Sequence, residues 1–258
     1  MKYFSLKKKS LLTATALLCL GAARADIIDF ETLDASNAPF APLLAGNDYV
    51  IQGKYFVEVI EPHNPAGGDM AGALMSGLDA GSCVDQACPS GNATNFIGSV
   101  NDSIVHFGQL SGATSILGSF DAAFIAPADS GLPGSTVAYL AIEADRSDGT
   151  YAIGVFALKG PASAGGPTAF SSFSAGTAQI IAGTGTLTSG NVTDLYAYAY
   201  YCGTDSCSAF DSNKGQFALD NIAINVSAVP EPSAWLLMAL GLGAIAPIAP
   251  IARRRRSA

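Results

Sequence analysis

The sequence predicts an all-β fold, an antiparallel β-sandwich of jelly-roll-like character, and three observations predict it. Short runs such as "STVAYLAIEA" (135 to 144), "TYAIGVFALK" (150 to 159) and "TDLYAYAYYC" (193 to 202) alternate with a period of two, the repeat of a strand with one buried face. Between them stand turn-rich stretches, among them "DRSDG" and "KGPASAGGPTAFSSFSAG", and the chain holds 28 glycines. No segment of the body carries a long helical period with caps. Many short strands separated by turn signals imply a sandwich.

The remaining elements follow in order. Strands are expected in "DIIDFE", "YVIQGKYFVEVIEP", "SIVHF" and "SILGSFDAAFIA". The stretch from Glu61 to Asn95, rich in Gly, Ala and Pro, is expected to be a long surface excursion and a contact region. In "QFALDNIAINV" (216 to 226) the apolar positions change parity at Asp220-Asn221. One face of a strand cannot bury both sets, so a β-bulge is expected there, re-aiming the Asp220 carboxylate.

Both ends carry targeting signals. Lys2, Lys7, Lys8 and Lys9, the apolar run Leu11 to Leu20, and Ala23-Arg24-Ala25 form the three parts of a signal peptide spanning residues 1–25, to be removed by signal peptidase before Asp26. The apolar run is half the length a spanning helix needs. At the other end, "AWLLMALGLGAIAPIAPI" (234 to 251) holds no charge and is long enough for one transmembrane helix. Arg253, Arg254, Arg255 and Arg256 fix its topology, with the body outside the cytoplasmic membrane. The chain thus divides into a signal peptide (1–25), an extracytoplasmic β domain (26–228) and a tail (229–258).

Pro230, Glu231 and Pro232, followed by one apolar helix and a terminal arginine cluster, resemble the PEP-CTERM sorting signal of Gram-negative bacteria. The resemblance implies that an exosortase, a membrane cysteine protease, reads the Pro-Glu-Pro and cuts near it. The helix is then a transient hold in the membrane, and the product goes to the cell surface or extracellular matrix. It further implies a structural or adhesive role in an exopolysaccharide or biofilm setting. The alternative for the tail is an ordinary permanent anchor. The late prolines Pro247 and Pro250 depart from the pattern by shortening the regular helix.

The body holds 20 acidic residues against Lys54, Arg146, Lys159 and Lys214, a net charge of 4 minus 20, or -16. Phosphate backbones would be repelled, which excludes nucleic acid as a partner. Four cysteines remain after signal removal, Cys83, Cys88, Cys202 and Cys207, in two copies of one spacing. In an exported chain they read as disulfides, most simply Cys83 with Cys88 and Cys202 with Cys207; cross-pairing and a four-thiolate zinc site are the alternatives.

Catalytic motifs are absent from the sequence. It has two histidines, His63 and His106, read as a loop and a strand residue, and no H-E-x-x-H, G-x-S-x-G or phosphate loop. The body is therefore read as a non-enzyme, with a glycoside hydrolase built on two carboxylates as a lesser alternative. The first strand with Glu31 and the last with Asp220 and Asn221 resemble the terminal strands of extracellular jelly rolls, carbohydrate-binding modules included. That resemblance implies a structural calcium held by Glu31 and Asp220; the alternative is Asp220 accepting backbone N–H groups at the bulge. Tyr196, Tyr198 and Tyr200 share one face of their strand. Exposed, they would bind a glycan by stacking; buried, they are core with the alanines outward, which is the expectation here.

Overall fold

The computed structural model describes residues 25–64, 66–79, 83, 88–125, 135–163, 166–203, 206–211 and 214–226. The chain divides into two compact units, Met1–Ser227 and Ala228–Ala258, and the second lies outside the described residues. The predicted signal peptide and C-terminal helix lie outside them as well. Among the described residues no helix is long and apolar enough to cross a membrane.

The described residues of the first unit are all-β. Its strands are β1 (Asp26–Ile28), β2 (Leu43–Ala45), β3 (Tyr49–Gln52), β4 (Tyr55–Ile60), β5 (Met70–Ser76), β6 (Asn95–Ser99), β7 (Ile104–Gln109), β8 (Ser115–Phe124), β9 (Thr136–Arg146) and β10 (Tyr151–Lys159). They continue with β11 (Ser171–Ser174), β12 (Gln179–Gly183), β13 (Val192–Cys202), β14 (Cys207–Ser208) and β15 (Phe217–Val226). Every strand pairing is antiparallel.

One continuous hydrogen-bonded sheet doubles back to make both layers. The first layer runs β12-β10-β9-β13-β7-β4-β3, and the second runs β11-β8-β15, where β15 offers its far edge to β6 and β1 in succession, then β5 and β2. The layers join at a single register pair, Val192 opposite Ser115. Ring contacts tie them face to face: Phe120 of β8 meets Phe156 of β10 edge-on with centroids 4.9 Å apart, and Phe124 lies over Tyr201 at 6.2 Å. This is the predicted antiparallel sandwich, and its jelly-roll-like character lies in β15 and β13 sitting between strands distant in sequence.

Three expectations are corrected. The excursion after Glu61 contains a full strand, β5, with Ala71, Ala73 and Met75 buried. Its Gly/Ala composition has little strand propensity, but small residues are needed there: a Cβ on Gly72 would stand 2.8 Å from Val59 Cγ1. The first strand is shorter than "DIIDFE", because Phe30 takes a left-handed φ of 57°. Gln52 holds that turn, its Oε1 accepting the Phe30 N–H at 3.0 Å. The third concerns the tyrosines of β13. Leu195, Ala197 and Ala199 face the core with Tyr201 packed beside them, and Tyr196, Tyr198 and Tyr200 occupy the outer face. The core beside β13 is already filled by Phe120 of β8, Phe156 of β10 and their neighbours, so small alanines fit there and large rings do not.

The predicted bulge in β15 is present. The register against β8 shifts between Asp220 and Ala223, and Asn221 takes a φ of 49°. Leu219 and Ile222 are both buried as a result.

Candidate functional site

The outer face of the first layer brings together side chains that the sequence scatters. Pairing places Glu58 (β4), His106 (β7), Tyr196 (β13) and Glu143 (β9) in one row across four strands. The adjoining row is Phe56, Gly108, Asp194 and Asp145. Residues in a row are direct cross-strand neighbours and those in the next row lie within diagonal reach.

His106 is the centre of the cluster. Its Nδ1 lies 2.9 Å from Glu58 Oε2 and its Nε2 3.0 Å from Asp194 Oδ1. Two carboxylates can both accept only if both ring nitrogens carry protons, so the geometry is that of an imidazolium. Burial opposes the charge, but the hydrogen bonds that His106 donates to Glu58 and Asp194, with their negative charges, outweigh it, and the His106 pKa lies above the ordinary imidazole value. The ring stacks on Tyr196 with centroids 4.4 Å apart and takes the edge of Phe56 at 4.9 Å. Gly108 makes room for this: a Cβ there would lie 3.1 Å from the Phe56 ring.

The field around the cluster is negative. Burial, reinforced by the neighbouring Asp145 charge, raises the Glu143 pKa, and burial with Asp194 does the same for Asp145 against the opposing pull of His106. Burial raises the Tyr196 hydroxyl too, with the four surrounding carboxylates acting in the same direction. Tyr198 is the most enclosed of the three tyrosines at 8% exposure, lying between Tyr200 at 5.8 Å and Phe210 at 5.3 Å. Tyr196 and Tyr200 remain half-buried and reachable from solvent. The face therefore offers aromatic surface bordered by hydrogen-bond acceptors, a chemistry suited to polyhydroxyl or cationic ligands.

The residues expected to hold calcium are placed otherwise. Asp220 is fully buried and surrounded by donors: Asn92 Nδ2 at 2.7 Å, Thr94 Oγ1 at 2.9 Å, and the Asn221 N–H at 2.7 Å, with Asn221 Nδ2 at 3.2 Å. Burial raises its pKa, and these hydrogen bonds work in the opposite direction. Glu31 is exposed and accepts from the Asn95 N–H at 2.7 Å and Asn95 Nδ2 at 3.2 Å. Both acids thus brace the segment 92–95. A calcium shell needs inward-facing oxygen lone pairs, whereas these groups turn hydrogens toward the carboxylates, so the residues present do not fit that ion. Among the described residues no group of three or more His, Cys, Asp or Glu side chains is placed to hold a metal.

The cysteines pair locally, Cys83 with Cys88 and Cys202 with Cys207, so neither cross-pairing nor the zinc alternative obtains. The second bond closes the β13 to β14 hairpin, where Cys202 and Cys207 are register partners. Sequence reasoning placed the tyrosines together but missed His106, Glu58 and Asp194 as a unit. Each sits at an outward position of an alternating strand, and only the order of the strands reveals that they meet.

Pro230, Glu231, Pro232 and Arg253 to Arg256 lie outside the described residues. No curated protein matches the chain. The PEP-CTERM protein-sorting motif matches residues 228–256, beginning two residues beyond the end of β15. Such a motif implies export, a transient hold in the membrane and processing by an exosortase: the chain is an exported protein, all-β over its described residues, that carries a C-terminal PEP-CTERM sorting signal.

Proposed function

We propose that the β-sandwich is a structural or adhesive component of the cell surface or extracellular matrix, released there from its tail and at work among exopolysaccharides. The observation that carries this is the sorting motif at residues 228–256. The body's character is consistent with such a place: two disulfides, a net charge of 4 minus 20, and a strand-rich frame. The test is intact mass of the protein recovered from surface and membrane fractions of its host. A mass matching a chain from Asp26 to about Val229 is expected. A chain still ending at Ala258 and retained in membranes would make the tail a permanent anchor.

A second reading, a glycan-binding surface module, is favoured by one specific observation: Tyr196 sits on the outer face beside Glu58, Asp194 and Glu143, with Tyr200 four positions further along the same face. Affinity electrophoresis in gels containing host polysaccharide tests it. Retardation that Tyr196→Ala and Tyr200→Ala abolish is expected if that face binds, and unchanged mobility of the wild type rejects it.

Both readings treat the protein as a non-enzyme. Both ring nitrogens of His106 are engaged by carboxylates, so neither is free to take a proton from a nucleophile or water. Assay of the purified protein on host polysaccharide, with reducing ends as the readout, is expected to give no release.

A further inference from the structure

Away from the tyrosine face, β4 ends and the chain turns through residues 61–64 toward β5. A cavity of about 690 Å³ opens here, within the size range of small-ligand sites. Its walls carry three carboxylates, Glu61, Asp69 and Asp211, and the amides of Asn64 and Asn101. Among the described residues its lining contains no Lys or Arg, and the His63 imidazole is its one basic group.

Glu61 is the informative residue. It is only 5% exposed, and its Oε1 accepts the His63 N–H at 3.0 Å. Its Oε2 is buried and has no hydrogen-bond partner. An unpaired buried carboxylate oxygen is costly, which makes it a rare feature unless something else supplies the donor. The surrounding groups are fixed rather than free to swing in. Asn64 Nδ2 is held by Asp69 Oδ2 at 2.9 Å and the Gly67 carbonyl at 3.1 Å, and Asn101 Nδ2 by the Met70 carbonyl at 2.9 Å. The neighbouring Asp102 carboxylate accepts the Gly215 N–H, tying the turn that bears Asn101 to the chain just beyond Asp211.

We propose that this cavity binds a ligand through a primary ammonium group, with Glu61 as its principal acceptor and Asp69 and Asp211 as the surrounding negative charge. An ammonium donates to the unpaired oxygen and offsets its charge at once, which a neutral hydroxyl does only in part. Anionic ligands are repelled by three carboxylates. A bare metal ion is the poorer fit, since no three acidic or histidine side chains converge on one point among the described residues. The proposal stands on the cavity alone and does not depend on the surface role argued above.

Two sources share this chemistry, an amino-sugar unit and a free polyamine, and the test separates them. The exported protein, disulfides intact, is titrated calorimetrically at neutral pH with glucosamine tetramer, with its N-acetylated counterpart and with spermidine. Binding of glucosamine tetramer at least about tenfold tighter than the acetylated form is expected. Glu61→Gln keeps an acceptor for the His63 N–H and removes the buried charge, so it is expected to weaken binding about tenfold without lowering the melting temperature. Asp211→Asn, at an exposed rim position, cannot unfold the body and is expected to weaken it by a smaller factor. Spermidine binding with none of the sugar assigns the site to polyamines. Equal binding of the acetylated and free-amine tetramers, no binding of either amine, or full affinity in both variants overturns the proposal.

Discussion

His106 and Asp220 show how two buried polar groups reach opposite solutions. His106 gains its charge from the fold, so its stabilising contribution is fully present below the unfolded imidazole value of about 6.5 and is lost as pH rises through its higher folded-state value. Melting temperature is therefore expected to fall as pH rises above about 6.5 and through the raised folded-state value. In His106→Gln that slope should flatten, which thermal melts at several pH values will decide. Asp220 instead answers four donor contacts. Asp220→Ala leaves Asn92, Thr94 and Asn221 facing an empty site and is expected to cost about 2 to 4 kcal/mol, read from urea melts. Added calcium is expected to leave the wild-type melt unchanged, since the donors around Asp220 serve an anion. The parity change in "LDNIAI" made the bulge legible. The identity of the donors was not, because Asn92 and Thr94 are more than 120 positions away.

Strands with regular alternation were legible almost to the residue: β9, β10 and β13 begin and end within two positions of the runs that predict them. The sequence did not announce β2, β5, β6, β11, β12 or β14, and β5 shows why: its "MAGALMS" has neither β-branched nor aromatic residues. Its identity is imposed by its neighbours, since it lies between β6 and β2 with Gly72 pressed against Val59. Gly72→Ala would bring a Cβ to 2.8 Å from Val59 Cγ1 and 3.0 Å from the Gly98 carbonyl. Overpacking of this kind is expected to cost about 1 to 3 kcal/mol, a loss visible as a lowered urea midpoint at constant slope. The tyrosine face of β13 illustrates the complementary limit. Alternation groups Tyr196, Tyr198 and Tyr200 with certainty, yet which side of the sheet is the core depends on the rings that fill it from β8 and β10.

For the whole molecule, the disulfides contribute locally. Each joins cysteines only five positions apart, so the loop closed is short and its removal is expected to cost about 2 kcal/mol. The double variant Cys202→Ser/Cys207→Ser should therefore remain folded, with a melting temperature lower by a few degrees. The sandwich itself rests on long-range pairing, with the last strand, β15, inserted between β8 on one edge and β6 and β1 on the other. That placement has a mechanical corollary. The sorting signal begins two residues after β15, so any tension on the tail, from a membrane hold or an attachment made after cutting, enters the body through an interior strand. Its ladders to β8 on one edge and to β6 and β1 on the other would share that load, so the strand nearest the tail is held from two sides.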